Sequence, residues 1–229
     1  MTHQPLQLAV KRSAWRPAGH YESTHGDWER VRNQILARDR STCVYCGFAS
    51  DKYQEVHHLD GDHENNIPEN LVTTCAFCHA TQHVGLCGKE GRGRLIWLPE
   101  MTQAALNHAI RWLELGPYAK PEVVSHINAP KESLLRFFEY RIKVCEQKFG
   151  SSDPSALADH LISLTDEQYE HDVQVRLAPV RLFPVVSKYS QEQRDAWMAQ
   201  LSLLIPDSGK VTPFLQAGTK RHVATTAVR

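Results

Sequence analysis

Four cysteines fall in two pairs of the form Cys-x2-Cys, Cys43 with Cys46 and Cys75 with Cys78, and 28 residues separate the pairs. A two-residue gap lets both thiolates of a tight turn face one ion, and a second such turn completes the tetrahedron that structural Zn²⁺ prefers. That zinc would supply folding free energy, because so small a unit cannot bury enough apolar surface unaided. Histidines gather around the same pairs: His57 and His58 between them, His63 shortly after, and His79 and His83 beyond the second pair. His79 and His83 stand four apart in a helical pattern, so they share a face and can grip one ion together. His57 and His58 are neighbours in a strand-like run and point to opposite sides, so one can join the ion and the other is left for proton transfer. An imidazole left free beside a bound divalent ion is a set suited to moving protons near neutral pH.

These side chains need elements to place them. Asp27 reads as the N-cap of a helix whose apolar residues Trp28, Val31, Ile35 and Leu36 recur at helical spacing and lead to the first cysteine pair. Residues 54–58 read as a strand, followed by a Gly/Asp/Asn-rich loop, a second strand at 71–73 and a helix over 76–84. Residues 84–94, with four glycines plus Lys89, Arg92 and Arg94, read as a flexible loop before an apolar strand at 95–99. Residues 5–10 alternate weakly, as a short strand would, ahead of a turn at 15–19. Beyond 100 the patterns are helical, over 101–115, around Leu134 to Phe149, over 154–164 behind Asp153, over 166–177 and over 191–205. Thr165 with Gln168 and Ser190 with Gln193 form capping boxes for the last two. Cys145 falls on an apolar helical face and reads as core, and Cys87 receives no role.

The 229 residues, with 41% hydrophobic and 23% charged side chains, describe a globular chain and exclude disorder for its bulk. No apolar run approaches the ~18 residues of a spanning helix, and residues 1–16 lack a secretory pattern, so the expected surroundings are reducing and paired thiols read as metal ligands. No Gly-Lys-Ser/Thr follows the glycines, which excludes a P-loop. Lys plus Arg and Asp plus Glu both number 26, and residues 27–83 hold five basic against nine acidic side chains. Duplex binding relies on basic groups neutralising phosphates, leaving Lys11, Arg12, Arg16, Lys89, Arg92 and Arg94 as the available helpers.

The run Trp28, Arg32, Ile35-Leu36, Arg38-Asp39, Cys43-x2-Cys46-Gly47, Val56-His57-His58, Asn70-Leu71-Val72, Cys75-x2-Cys78-His79-x3-His83 resembles a zinc-knuckle HNH nuclease of the ββα-metal fold. The resemblance implies that His57, His79 and His83 ligate a catalytic divalent ion, such as Mg²⁺ or Mn²⁺, distinct from the Cys-bound zinc. It further implies that His58 is the general base and that Asn70 holds the loop that keeps the base oriented. A broader likeness runs over roughly residues 5–205. Tyr45-Cys46-Gly47-Phe48, Leu59-Asp60-Gly61-Asp62, Asn65-Asn66, Leu95-Ile96-Trp97-Leu98-Pro99-Glu100, Lys148-Phe149-Gly150 and Ser152-Asp153-Pro154 are similar to the IcmJ/DotN family of type IVB secretion systems. That likeness implies a zinc-containing component docked on the C-terminal segment of a coupling ATPase, in the cytoplasm and recruited to the inner membrane through its partner without inserting. This chain departs from the family's best-known member by keeping His57, His58, His79 and His83. The expected architecture is α+β: an extension over 1–26, a zinc-binding HNH module over 27–99, a packed helical region over 100–205 and a tail over 206–229. The expected function is a metal-dependent endonuclease acting on DNA, with a non-catalytic, zinc-stabilised scaffold for the coupling ATPase as the alternative.

Overall fold

The computed structural model describes residues 6–10, 25–119 and 128–204. The expected turn at 15–19, the basic residues Lys11, Arg12 and Arg16, and the tail at 206–229 lie outside the described residues.

The chain is α+β. Helix α1 (His25–Arg38) begins three residues earlier than expected, so Asp27 sits in the first turn, where a carboxylate still favours the positive end of the helix. Arg38 and its neighbour Asp39 fasten the end of α1 to residues 68–73. Arg38 donates to the carbonyls of Pro68 and Leu71, each at 2.7 Å, and the Asp39 carboxylate accepts the Thr73 N–H at 2.9 Å. Strands β1 (Gln54–His58) and β2 (Leu71–Cys75) pair antiparallel, with His57 opposite Val72 and His58 opposite Leu71. Helix α2 (Ala76–Gln82) comes directly after β2. Residues 6–10 are not a regular strand; Ala9 instead exchanges backbone hydrogen bonds with Thr81 and Val84, and Leu8 and Val10 are buried.

The glycine-rich stretch is not a loop. It forms helix α3 (Val84–Lys89), and Gly93 opens strand β3 (Gly93–Trp97). Two of its glycines serve close packing. A Cβ on Gly88 would come within 2.3 Å of the Ser155 backbone nitrogen, and one on Gly93 within 2.7 Å of Leu182 and 2.9 Å of the Cys87 sulfur.

Helices α4 (Gln103–Ala119), α5 (Asn128–Phe149) and α6 (Pro154–Ser163) come next, the last capped by Asp153, whose carboxylate accepts the Ser155 N–H at 2.8 Å. The helix expected over 166–177 is divided: α7 (Asp166–His171) keeps its Thr165–Gln168 capping box and passes into a π-helical turn over Asp172–Arg176. The second half also holds a strand that the sequence patterns do not predict, β4 (Val180–Pro184), antiparallel to β3 with Leu95 opposite Leu182. Helix α8 (Gln191–Leu204) ends the described chain, with Ser190 and Gln193 bonded reciprocally at its start. Among the described residues, no helix is long and apolar enough to cross a membrane.

Two buried clusters hold these elements together, and each draws on both sides of residue 99. One joins the cysteine knuckles to Leu106, Ile110, Phe138, Trp197 and Leu201. The other joins Val84, Cys87 and Leu95 to Cys145, Leu161, Val180 and Leu182. Cys145 is thus core, as its helical position predicts, and Cys87 is core as well. Burial pushes both thiols up to about 12.

Candidate metal centres

The first knuckle is a tight loop whose ends are tied by Cys43 N–H to the Phe48 carbonyl at 3.0 Å and Gly47 N–H to the Cys43 carbonyl at 2.8 Å. Gly47 takes φ +72° there, a conformation open to glycine at little cost. Gln54 braces the loop from β1, its side-chain amide donating to the carbonyls of Ser41 and Phe48, both at 2.8 Å. Val44 N–H reaches the Thr73 carbonyl at 3.0 Å, which sets this knuckle against β2 and therefore against Cys75 at its end. Cys78 lies in the first turn of α2. The four sulfurs lie within 4.8 Å of one another. A tetrahedron with Zn–S bonds of about 2.3 Å has sulfur–sulfur edges of about 3.8 Å, and Cys46 Sγ stands 3.7 Å from Cys75 Sγ. The donor set and its spacing suit a structural zinc.

Helix α4 supplies polar groups to these thiols. Gln103 is bonded to β4 through both amide atoms, accepting from Leu182 N–H and donating to the Leu182 carbonyl at 2.7 Å each, and it also donates to Asn107 at 2.9 Å. Asn107, so oriented, points its side-chain nitrogen at Cys78 Sγ, 3.3 Å away. Arg111 Nη2 donates to Cys75 Sγ at 3.3 Å, and His108 Nε2 lies 2.6 Å from the Cys46 carbonyl. Hydrogen bonding with Cys43, helped by Cys78 and by the Arg111 charge, holds the Cys75 thiol below its ordinary value. Sequence reasoning missed Gln103, Asn107 and Arg111. The signal was present: they recur every four residues on a helix whose other inward positions are apolar, and each is at least 97% buried.

The second cluster also draws on α2. His57 is buried on β1, His79 is on α2, and His83 occupies the junction between α2 and α3. One ring nitrogen from each lies within 4.8 Å of the others, with ring centroids 4.5 to 5.4 Å apart. His83 is not on a shared helical face with His79, as its i+4 spacing predicts. Its backbone, at φ −128° and ψ 53°, has left the helix, and that turn brings the ring to the cluster. Glu55, the residue before Val56 on β1, makes an ion-pair contact with His79 Nδ1. A carboxylate on Nδ1 would leave Nε2 for an ion, the arrangement by which carboxylates orient metal-binding imidazoles. Burial pushes the Glu55 carboxyl up, but the His79 hydrogen bond and the charges of His79, Arg92 and His83 outweigh it and hold the group below its usual value.

His58 faces away from this cluster, as strand alternation predicts. Its ring is stacked between Trp28, at 5.3 Å, and His63, at 5.0 Å, and its Nε2 lies 2.9 Å from Asn66 Oδ1. An amide oxygen only accepts, so Nε2 carries the proton in this arrangement. Asn70 ties the intervening loop at both of its ends. Its amide donates to Asp60 Oδ1 and to the Asn65 carbonyl, both at 2.9 Å, and its oxygen accepts the Asp60 N–H at 3.1 Å.

No protein-family model matches the chain. It is 32% identical over 201 residues to the type 4 apparatus protein DotN of Legionella pneumophila, a match that spans 85% of this chain and 89% of that protein. Over 90 residues it is 34% identical to a probable HNH endonuclease of Lactococcus phage SK1, which covers 36% of this chain and 92% of the phage protein. A third similarity, 27% over 121 residues, is to the Zorya protein ZorE of Escherichia coli and covers 49% of this chain and 33% of that one. An identity of 32% over nearly the whole of both chains places the protein in the DotN family.

Proposed function

We propose that this chain is a DotN-type component of a type IV secretion apparatus whose residues 27–99 form an HNH module retaining a hydrolytic site for DNA phosphodiesters. In this reading β1, β2 and α2 are the ββα unit of that fold, with zinc on Cys43, Cys46, Cys75 and Cys78 as its scaffold. His57, His79 and His83 would hold the second ion. Three imidazoles with a carboxylate only behind them suit a borderline transition ion better than Mg²⁺, so Mn²⁺, Ni²⁺ and Zn²⁺ belong beside Mg²⁺ in any assay. When bound, such an ion supplies Lewis-acid stabilisation of charge on the phosphate and the leaving oxygen. Glu55 fixes the His79 ring. Trp28, His63 and Asn66 fix the plane and proton of His58, which in this reading takes the proton of the attacking water. Asn70 acts at one remove, by holding the loop that carries Asn66 and His63.

The observation that carries the reading is the convergence of His57, His79 and His83 from three separate backbone segments, with Glu55 behind His79. The test is nicking of supercoiled plasmid by purified protein with each ion in turn. Wild type is expected to cut and His58→Ala to lose at least about 100-fold in rate, the usual contribution of a general base, while keeping its zinc. Equal cleavage by the two would refute it. A second reading, a non-catalytic scaffold that docks on the coupling ATPase, is favoured by the charge of residues 27–83, five basic against nine acidic, which is poor for holding a duplex. Co-purification with that partner and no cleavage with any ion would select it.

A further inference from the structure

Arg111 is among the largest fully buried side chains of the protein, with 1% of its surface exposed. Its guanidinium is sandwiched by aromatic rings, with Cζ 3.9 Å from the Phe48 centroid and 4.7 Å from that of Phe77. Nη2 is given to Cys75 Sγ, and among the described residues Nε and Nη1 have no hydrogen-bond partner and no carboxylate forms an ion pair with the group. A cation in such a place is strongly disfavoured unless buried negative charge lies next to it. The facing rings supply part of that attraction, and the other candidate is the thiolate cluster.

Neutral thiols would give Arg111 nothing to offset, and neither would disulfides. Four thiolates around one divalent ion carry two negative charges in excess, in a core otherwise formed by Ile110, Phe77 and Trp197. Each side therefore lacks what the other provides.

We propose that Arg111 is the built-in counter-charge of the Cys43–Cys46–Cys75–Cys78 centre, a positioning residue on α4 that stabilises a metal tetrathiolate. The proposal stands independently of whether the histidine cluster hydrolyses anything.

The test compares Arg111→Gln, which keeps a donor and loses the charge, with Arg111→Lys, which keeps the charge. Full-length proteins are loaded with Zn²⁺ and titrated with a chromophoric chelator, and are separately loaded with Co²⁺ for absorption spectra. Arg111→Gln is expected to hold zinc about 10–100-fold more weakly than wild type, the usual effect of losing an outer partner of a ligand, and Arg111→Lys much less so. A cation beside sulfur lowers the energy of its lone pairs, so the thiolate-to-cobalt charge-transfer band should move to lower energy in Arg111→Gln and stay near its wild-type position in Arg111→Lys. A purely structural side chain would not move that band. Wild-type zinc retention in Arg111→Gln, or equal weakening in both variants with an unmoved band, overturns the proposal. Should Arg111→Gln fail to fold even with excess zinc, a folded, zinc-holding Arg111→Lys supports it, and failure of both overturns it.

Discussion

Glu55 offers a sharp perturbation of the histidine centre, because its carboxylate contacts the Nδ1 side of His79. Replacing it by Gln keeps an oxygen that accepts the His79 Nδ1 proton and removes only the charge; replacing it by Ala removes both. A hydrogen bond to a charged group contributes about 1.5–3 kcal/mol against about 0.5–1.5 for a neutral one, so the charge accounts for about 1 kcal/mol. The two side chains are 35% and 24% exposed, and water screens part of that interaction. Glu55→Gln is therefore expected to weaken ion binding at His57, His79 and His83 by about 3–5-fold, and Glu55→Ala by about 10–100-fold, as for other groups that orient a ligand from behind. Calorimetric titration of zinc-loaded protein with Mn²⁺ or Ni²⁺ reads both values. Melting temperature is measured in parallel to separate them from loss of fold. If Glu55→Ala binds the ion as tightly as wild type, His79 is not a ligand through Nε2, and the assignment of this centre fails with it.

Two further outcomes concern the packing of α3 and the loop between β1 and β2. Gly88→Ala forces a methyl group against the Ser155 backbone at the start of α6, so urea denaturation should register a loss of about 1–3 kcal/mol, the usual cost of overpacking; a change below about 0.5 kcal/mol would refute the close α3–α6 approach. Removal from water pushes the Asp60 carboxyl up, but hydrogen bonds from Asn70, the Asp62 N–H and Asn65 outweigh it and bring the group down to about 2. The lowered value means the contribution of Asp60 is complete above the ordinary carboxylate value of about 3.9 and is lost as pH falls toward about 2. The Asn70 side-chain amide resonances, monitored by NMR on acidification, should shift in that window in the wild type, and they should lack the transition in Asp60→Asn.

What could be read from the sequence was local in origin. The cysteine pairs declare themselves by spacing, the opposed directions of His57 and His58 by strand alternation, and the Asp153, Thr165 and Ser190 caps by residue type. Where local patterns failed, a distant partner decided. Glycines 85 to 93 look flexible in isolation, yet Gly88 and Gly93 are small because α6 and β4 lie against them. Strand β4 has the alternation of a strand, with Val180, Leu182 and Pro184 buried, but five residues without a visible partner do not stand out until β3 is placed beside them. The polar stripe of α4 becomes intelligible only next to the thiols it serves. His83 arrives at the expected cluster by an unexpected route, a break between two helices in place of a continuous one.

Helix α2 has only seven residues, and consecutive ones, Cys78 and His79, serve the sulfur and the imidazole clusters. A single peptide unit thus joins a member of one cluster to a member of the other. Peroxide or a disulfide-forming agent that attacked Cys78 would therefore act on the residue next to a member of the imidazole cluster.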